Sequence, residues 1–158
     1  MIPAPLKKEP DDFDSKVRIP GNDFLDNFDG TPKTNQWKPF WREAINDLYE
    51  LYNGICAYSG FRICRTTTSP TVEHYKPKSK FPRLAYEWSN LRLLSPRLNG
   101  IKSTRTDILD PQNLKDGEVI IEIPTMKLIA NPEACDKTRQ KYVNSSIKSL
   151  KLNEDFLL

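Results

Sequence analysis

The sequence predicts a single α+β domain over residues 1–158. Two observations support this fold class. Apolar residues recur at helical spacing in two long segments, 38–53 and 131–152, whereas aliphatic and β-branched residues cluster in short runs bounded by turn-forming residues. A chain of this length can bury a core of its own. The predicted strands cover residues 71–74, 91–94, 119–123 and 126–130.

Residues 1–36 are rich in Pro, Asp and Phe and show no clear periodicity. We therefore predict an extended arm in this region. A free tail rarely carries many large apolar side chains, so the arm is expected to be anchored on the rest of the domain. The candidate anchors are Phe13, Val17, Ile19, Phe24, Leu25 and Phe28.

Residues 38–53 are predicted to form a helix, because their apolar side chains fall on one face. Asn53 and Gly54 supply the residues that commonly end a helix. The next segment, 55–63, is short, aromatic and broken by a turn, and we expect it to lie beside the hairpin that follows. The apolar face of the helix carries Trp41, Ala44, Ile45, Leu48, Tyr49 and Tyr52.

A hairpin followed by a short helix is predicted within residues 55–105. Thr71–His74 and Leu91–Leu94 are the two strands. The segment 76–88 between them is basic and contains two prolines, which keep it irregular. The helix is expected to run from Pro96 to about Ser103, since a preceding serine can cap it and proline suits its first position.

The C-terminal part of the chain is predicted to contain a strand pair and a last helix. Val119–Ile123 and Met126–Ala130 flank a Pro-Thr turn. The helix is expected to begin at Asn131-Pro132 and to continue to about Leu152. Its apolar stripe consists of Cys135, Tyr142, Val143, Ile147 and Leu150.

Positive charge is concentrated in the middle of the chain. The net charge of the whole protein is only +3. Residues 61–105, however, hold ten Lys or Arg residues and two acidic ones, a net charge of +8, whereas residues 1–30 have a net charge of −3. This distribution is typical of proteins that bind a phosphate backbone, although a solvated basic face gives the same pattern.

Side chains with metal-binding and proton-transfer chemistry are spaced across the predicted hairpin and helix. Glu73 and His74, the one histidine of the chain, end the first strand. Asn90 follows sixteen residues after His74, and Asn99 follows nine residues after that. An isolated Glu-His pair is more often structural than functional, but this ordered set can assemble a one-metal site. The Asn99-Gly100 pair also leaves open a helix end at that point.

The ordered set resembles the motif of the HNH endonucleases, whose site is the ββα-metal or His-Me finger. In that family an acid-His pair is followed by Asn-Leu, and then by Asn or His with a lysine three residues later. Here these elements are Glu73-His74, Asn90-Leu91 and Asn99 with Lys102, within about a third of the chain. More widely, the chain is similar to HNH proteins found beside ATPases in retron and Septu-type anti-phage systems. The stretches that carry this similarity are 13–18, 84–90, 108–111 and 150–153.

The resemblance implies a catalytic role for each of these residues. His74 would be the general base, because an imidazole is partly neutral near working pH. Glu73 and Asn99 would bind Mg²⁺ or Mn²⁺ through oxygen atoms. Asn90 would fix the loop and the imidazole, and Lys102 would hold the phosphate.

Basic residues near this site are predicted to contact substrate phosphates, unless they serve solubility alone. A basic loop of this kind contacts phosphates and not bases, so base specificity stays open. As a separate expectation, DNA is favoured over RNA as the substrate. The three tryptophans are predicted to belong to the core. The predicted phosphate contacts are Lys76, Lys78, Lys80, Arg83 and Arg97.

No structural zinc is expected. Many HNH proteins carry two Cys-x-x-Cys pairs, but the corresponding segments here are Cys56–Ser59 and Ser95–Leu98, with one cysteine in four positions. A closed zinc site needs four such ligands, so apolar packing is expected to brace the hairpin instead.

The cysteine usage favours a cytoplasmic protein. The three cysteines are scattered and odd in number, which indicates buried reduced thiols. We also expect no membrane span and no signal peptide, since the chain lacks a long apolar stretch and a basic N-terminal start. The cysteines are Cys56, Cys64 and Cys135.

The resemblance, together with the basic charge of residues 61–105, implies a divalent-metal-dependent endonuclease that acts in anti-phage defence. The alternative is a catalytically inactive subunit of an ATPase complex, which binds nucleic acid or protein. The expected contacts to an ATPase partner or a second copy are the arm 1–36, the helix that ends at Leu150-Lys151-Leu152, and the terminal Phe156-Leu157-Leu158. Both ends could instead fold back on the core of a monomer.

Overall fold

Four α-helices and two small antiparallel sheets share one core in the computed structural model, which describes residues 1–154. This confirms the predicted α+β class. The terminal Phe156-Leu157-Leu158 lies outside the described residues. The elements are α1 (Ile19–Asp26), α2 (Ile45–Leu51), β1 (Thr71–His74), β2 (Leu91–Leu94), α3 (Pro96–Lys102), β3 (Val119–Glu122), β4 (Lys127–Ala130) and α4 (Lys137–Ser149).

The first sheet is the antiparallel pair β1–β2, with the bounds that the sequence predicts. Its register places Thr71 opposite Leu94 and His74 opposite Leu91. All four residues of β2 are buried, and β1 is buried at its last two residues, Glu73 and His74. Register matters here because a shift of one residue would turn each of these two side chains to the face opposite the one it now occupies.

Helix α3 follows β2 directly and packs against β1. It runs through Asn99 and Gly100 to Lys102, so the alternative of a helix end at Asn99-Gly100 is wrong. Ser95 has the extended backbone of an N-cap residue, but its side chain makes no capping hydrogen bond. The start of α3 is therefore explained by Pro96 at its first position, because the fixed φ angle of proline suits a helix.

The N-terminal arm is not extended throughout, which corrects the prediction for residues 1–36. A π-helical turn at Asp14–Arg18 leads directly into α1. Phe13, Val17 and Leu25 are buried at helical spacing, whereas the predicted anchor Ile19 is 56% exposed. Pro20 and Gly21 obscured this helix in the sequence, because neither favours a helix interior.

Two other helices differ in their bounds from the predicted ones. The segment 38–53 begins as a 3₁₀ helix at Phe40–Ala44 and becomes α-helical only over Ile45–Leu51. The last helix begins at Lys137 and not at Asn131, because Asp136 caps it by accepting a hydrogen bond from the Arg139 amide at 2.8 Å. A carboxylate at this position satisfies an amide that the first turn leaves free.

The segment 55–63 braces the hairpin. The amide of Ala57 donates to the carbonyl of Leu93 at 2.9 Å, and Cys56, Tyr58 and Ile63 are buried beside it. Apolar packing therefore lies along the hairpin, as predicted for this segment. Trp37, Trp41 and Trp88 belong to the core, as predicted. Cys56 and Cys135 are buried, whereas Cys64 is exposed, contrary to the prediction of three buried thiols.

Candidate functional site

The end of β1 and the middle of α3 meet at a cleft of about 440 Å³. Glu73 and His74 reach it from the strand, and Asn99 reaches it from the helix. The structure thus brings together three residues that the sequence spreads over 27 positions. The other residues along the cleft are Pro32, Lys33, Thr34, Trp37, Pro77, Lys78, Ser79, Ser103 and Thr104.

His74 is held in one orientation at the bottom of this cleft. Its Nε2 lies 2.9 Å from the carbonyl oxygen of Ala85, and its ring meets the ring of Trp41 edge-on at 4.8 Å. A carbonyl can only accept a hydrogen bond, so Nε2 carries the proton and the lone pair lies on Nδ1.

The imidazole of His74 is neutral near pH 7. The pKa of its ring is lowered from the usual 6.5 to about 3, chiefly by burial, with the positive charge of Lys78 acting in the same direction. Both effects disfavour the protonated ring. The hydrogen bond with the Ala85 carbonyl raises the pKa of His74, but by less than these two effects lower it. A neutral ring with one free lone pair is able to accept a proton.

Glu73 and Lys102 form a buried ion pair beside the imidazole. The Lys102 Nζ donates to Glu73 Oε1 at 2.6 Å and to the carbonyl oxygen of His74 at 3.0 Å. Burial raises the pKa of Glu73, and the charge of Lys102 opposes this rise. The Lys102 side chain is fully buried. It therefore braces Glu73 from inside the protein in this structure and does not face the cleft, where the sequence predicted a phosphate contact.

Asn90 ties the long loop of the hairpin together. Its Oδ1 accepts from the amide of Lys76 at 2.8 Å, and its Nδ2 donates to the carbonyls of Lys76 at 3.0 Å and Leu84 at 2.9 Å. Ala85, whose carbonyl is the partner of His74, directly follows Leu84 in this loop. Asn90 thus fixes the backbone that orients the imidazole, through hydrogen bonds to backbone atoms of the loop.

Asn99 connects α3 to the start of the hairpin. Its Nδ2 donates to the Thr71 hydroxyl at 3.1 Å, and that hydroxyl donates to the carbonyl of Leu94. The amide donor is therefore engaged, while Oδ1 is the atom with metal-binding chemistry. Asn99 and Glu73 together offer an amide oxygen and a carboxylate to one cleft.

This donor set fits one hard divalent cation. Oxygen ligands suit Mg²⁺ or Mn²⁺, and Mg²⁺ in particular keeps several water molecules. Among residues 1–154, no group of three or more His, Cys, Asp or Glu residues is arranged to hold a metal ion. Glu73 and Asn99 could supply at most two protein ligands, so water molecules would have to complete the coordination of a cation held there.

The predicted phosphate-binding residues differ in their relation to the cleft. Lys78 lines it and is half-buried, with Nζ 5.1 Å from the ring centre of Trp41. Lys76, Lys80 and Arg97 are exposed and do not line it. Arg83 is exposed and forms a salt bridge with Asp26, so a phosphate would have to compete for it.

Two groups of cleft residues were missed by the sequence analysis. Lys33 and Thr34 belong to the arm 1–36. They were not predicted as site residues because the net charge of the arm is negative. Ser103 and Thr104 follow α3, and Ser103 has φ +48° and ψ −129°, which is unusual for a residue with a side chain. The available signal was local: residues 30–36 contain Lys33 and no acidic residue, although residues 1–30 have a negative net charge.

No family model matches the chain. Among curated proteins, it is similar to the Septu protein PtuB of Bacillus thuringiensis, with 34% identity over 74 residues. This alignment covers 47% of the chain and 28% of that protein, so the chain matches little more than a quarter of its relative's length. Within residues 1–154, none of the helices is both long and apolar enough to cross a membrane.

Proposed function

We propose that this chain is a divalent-metal-dependent endonuclease of the HNH type, acting in a Septu-type anti-phage defence system. The observation that carries the proposal is the convergence of Glu73, His74 and Asn99 on one cleft, from a hairpin and the helix that follows it. This is the arrangement that a ββα-metal finger requires. The similarity to the Septu protein PtuB supports the defence role.

His74 is the general base in this proposal. Its Nδ1 takes a proton from the attacking water, because Nε2 already donates to Ala85 and burial keeps the ring neutral. Asn90 holds the loop that carries Ala85, so it is a positioning residue. Glu73 and Asn99 would hold Mg²⁺ or Mn²⁺, which when bound supplies a Lewis acid to the scissile phosphate.

Lys102 is assigned a positioning role in place of phosphate binding. Its two hydrogen bonds fix both the Glu73 carboxylate and the backbone of His74. A single buried cation therefore sets the relative position of the proposed metal ligand and the proposed base. Because the pair leaves Glu73 Oε2 without a bond to Lys102, one carboxylate oxygen is left for the cation.

Cleavage by the purified chain tests the proposal. Supercoiled plasmid and a single-stranded oligonucleotide are incubated with Mg²⁺, with Mn²⁺ and with excess chelator. We expect cleavage only with metal, and a loss of at least about 10²-fold in rate for His74→Ala. Lys38→Gln, at an exposed position that does not line the cleft, is the matched control and keeps the wild-type rate. Equal rates for His74→Ala and wild type, or cleavage in chelator, would overturn the assignment.

A protein-interaction role in an ATPase complex is the second candidate, and an exposed apolar surface favours it. Met126 is 57% exposed, Phe61 55% and Ile121 53%, and these three large apolar side chains line one cavity, which is unusual for a surface without a partner. Phage protection in living cells separates the two candidates. If His74→Ala protects as well as wild type, interaction alone accounts for the function. Loss of protection with unchanged protein level favours the nuclease.

A further inference from the structure

The cleft has a second wall, formed by residues far from the proposed catalytic motif. Pro32, Lys33 and Thr34 line it together with Glu73 and His74. This wall belongs to the segment between α1 and α2, which was predicted to be part of an acidic arm. A substrate that enters the cleft must therefore pass beside residues 32–34.

The second wall is fixed in position. The amide of Lys33 donates to Gln36 Oε1 at 2.8 Å, and the amide of Gln36 donates to the carbonyl of Lys33 at 2.9 Å. The next residue, Trp37, is buried against Trp41 with ring centres 6.1 Å apart. Trp41 also contacts His74. One aromatic cluster thus anchors both the turn 33–36 and the proposed base.

Positive charge exceeds negative charge among the residues that line this cleft, because Lys33 and Lys78 share it with one carboxylate, Glu73. Lys33 and Lys78 both line it, and neither forms an ion pair with a carboxylate within residues 1–154. Lys78 is half-buried over the rings of Trp37 and Trp41, and burial lowers its pKa. Glu73 is already paired with Lys102. The cleft therefore suits an anion, and a phosphodiester brings one to each nucleotide.

We propose that Lys33 is a phosphate-binding residue of the substrate cleft, and that residues 32–34 hold the nucleic-acid backbone against the wall that carries Glu73, His74 and Asn99. The inference rests on the proposed function for the identity of its ligand. Lys33 contacts a phosphate that flanks the scissile one, with Lys78 on the hairpin loop as the second cation. Phosphate contacts of this kind position a backbone without reading its sequence.

Salt-dependent binding measures this contact separately from cleavage. Lys33→Gln and Lys38→Gln are compared in the His74→Ala background, so that substrate is retained. The probes are a labelled 20-nucleotide single strand and its duplex. Lys38 lies five residues from Lys33, is exposed and does not line the cleft, which makes it a matched control.

We expect Lys33→Gln to weaken binding and Lys38→Gln to leave it unchanged. The slope of log affinity against log salt should become shallower by about 0.9 for the duplex or about 0.7 for the single strand, as for one lost phosphate contact. Equal slopes for Lys33→Gln and Lys38→Gln on both probes would overturn the inference. Circular dichroism checks that both variants are folded.

The two proposals fail in different ways. If the wild-type chain cleaves with Mg²⁺ but Lys33→Gln binds and cleaves like Lys38→Gln, the inference about Lys33 is wrong and the nuclease assignment stands. If no cleavage occurs with any metal but Lys33→Gln still loses one contact, the nuclease assignment is wrong and the binding cleft stands.

Discussion

Two buried ion pairs flank the β1–β2 hairpin, and they differ in what they leave available. Glu73 and Arg92 are opposite each other in the register of the sheet, yet each pairs with a residue elsewhere in the chain. Glu73 pairs with Lys102 of α3, and Arg92 pairs with Asp110 beyond α3.

The Arg92–Asp110 pair is closed. The guanidinium donates to both carboxylate oxygens of Asp110, at 3.0 and 2.7 Å, and to the carbonyls of Ser89 and Leu91. It also lies over the ring of Tyr75. Asp110 in turn accepts from an amide of the following turn. This is the bidentate geometry that makes a buried arginine pair specific in position.

The Glu73–Lys102 pair is open on one side. Only Oε1 of Glu73 accepts from Lys102, and Glu73 lines the cleft beside His74 and Asn99. Burial alone therefore does not distinguish the charge proposed to bind a metal from the one that is structural. The two carboxylates differ in their hydrogen bonds and in their contact with the cleft. Both oxygens of Asp110 accept hydrogen bonds inside the core, whereas Glu73 lines the cleft and only its Oε1 accepts from Lys102.

Breaking the closed pair should have the largest effect on stability. Arg92→Met leaves the Asp110 carboxylate buried without its cation, and we expect the free energy of unfolding to fall by about 3–5 kcal/mol. Urea titration followed by circular dichroism measures this loss. Arg42→Met, at an exposed position, is the control and should stay near wild type. A similar loss in both variants would show that the Asp110 pair has no special structural role.

Breaking the open pair should cost less. Lys102→Met leaves Glu73 without its cation, but water in the cleft can solvate the carboxylate. We expect a loss of about 1–3 kcal/mol, the range for one buried polar group that loses its partner. The same urea titration applies. A loss as large as that of Arg92→Met would mean that the two pairs are equally closed, which contradicts the comparison.

Relieving the backbone at the end of α3 should have a smaller effect, in the stabilising direction. Ser103 directly follows Lys102 and has φ +48°, a conformation that glycine adopts without strain. Ser103→Gly should raise the free energy of unfolding by about 1 kcal/mol. Backbone strain of this kind costs about 1–3 kcal/mol, and part of the relief is lost because glycine increases the conformational entropy of the unfolded chain.

Ser103→Ala is the matched control for that measurement. It removes the hydroxyl but keeps a side chain at the same positive φ, so its stability should not increase. An equal gain in both variants would trace the effect to the hydroxyl and not to the backbone.

Metal removal should have the smallest effect on the fold. The Glu73–Lys102 pair neutralises the proposed metal ligand from within the protein, and one cysteine stands where a zinc site would need four ligands. We expect the thermal unfolding midpoint to be the same with and without excess chelator. Unfolding in chelator together with release of stoichiometric zinc would contradict this expectation.

Local patterns were sufficient to predict the hairpin. The bounds of β1 and β2 follow from short apolar runs between turn residues, and the start of α3 follows from a proline at its first position. The same approach failed for the N-terminal helix. Gly21 argues against a helix on propensity, but a Cβ at this position would lie 2.1 Å from the Cγ of Tyr86. Close packing against a distant ring therefore selects glycine there, and the sequence alone does not reveal the ring.

The sequence by itself determined the order and spacing of Glu73, His74, Asn90 and Asn99, because side-chain chemistry and local turn signals are properties of neighbouring residues. Only the tertiary structure decided that Lys102 turns inward to Glu73 and that Lys33 faces the same cleft from the arm. These roles depend on contacts between segments 29 and about 40 residues apart. Charge alone predicts that a lysine prefers an anion, and the fold determines whether a buried carboxylate is within reach, as it is for Lys102, or whether the lysine lines an open cleft, as Lys33 does.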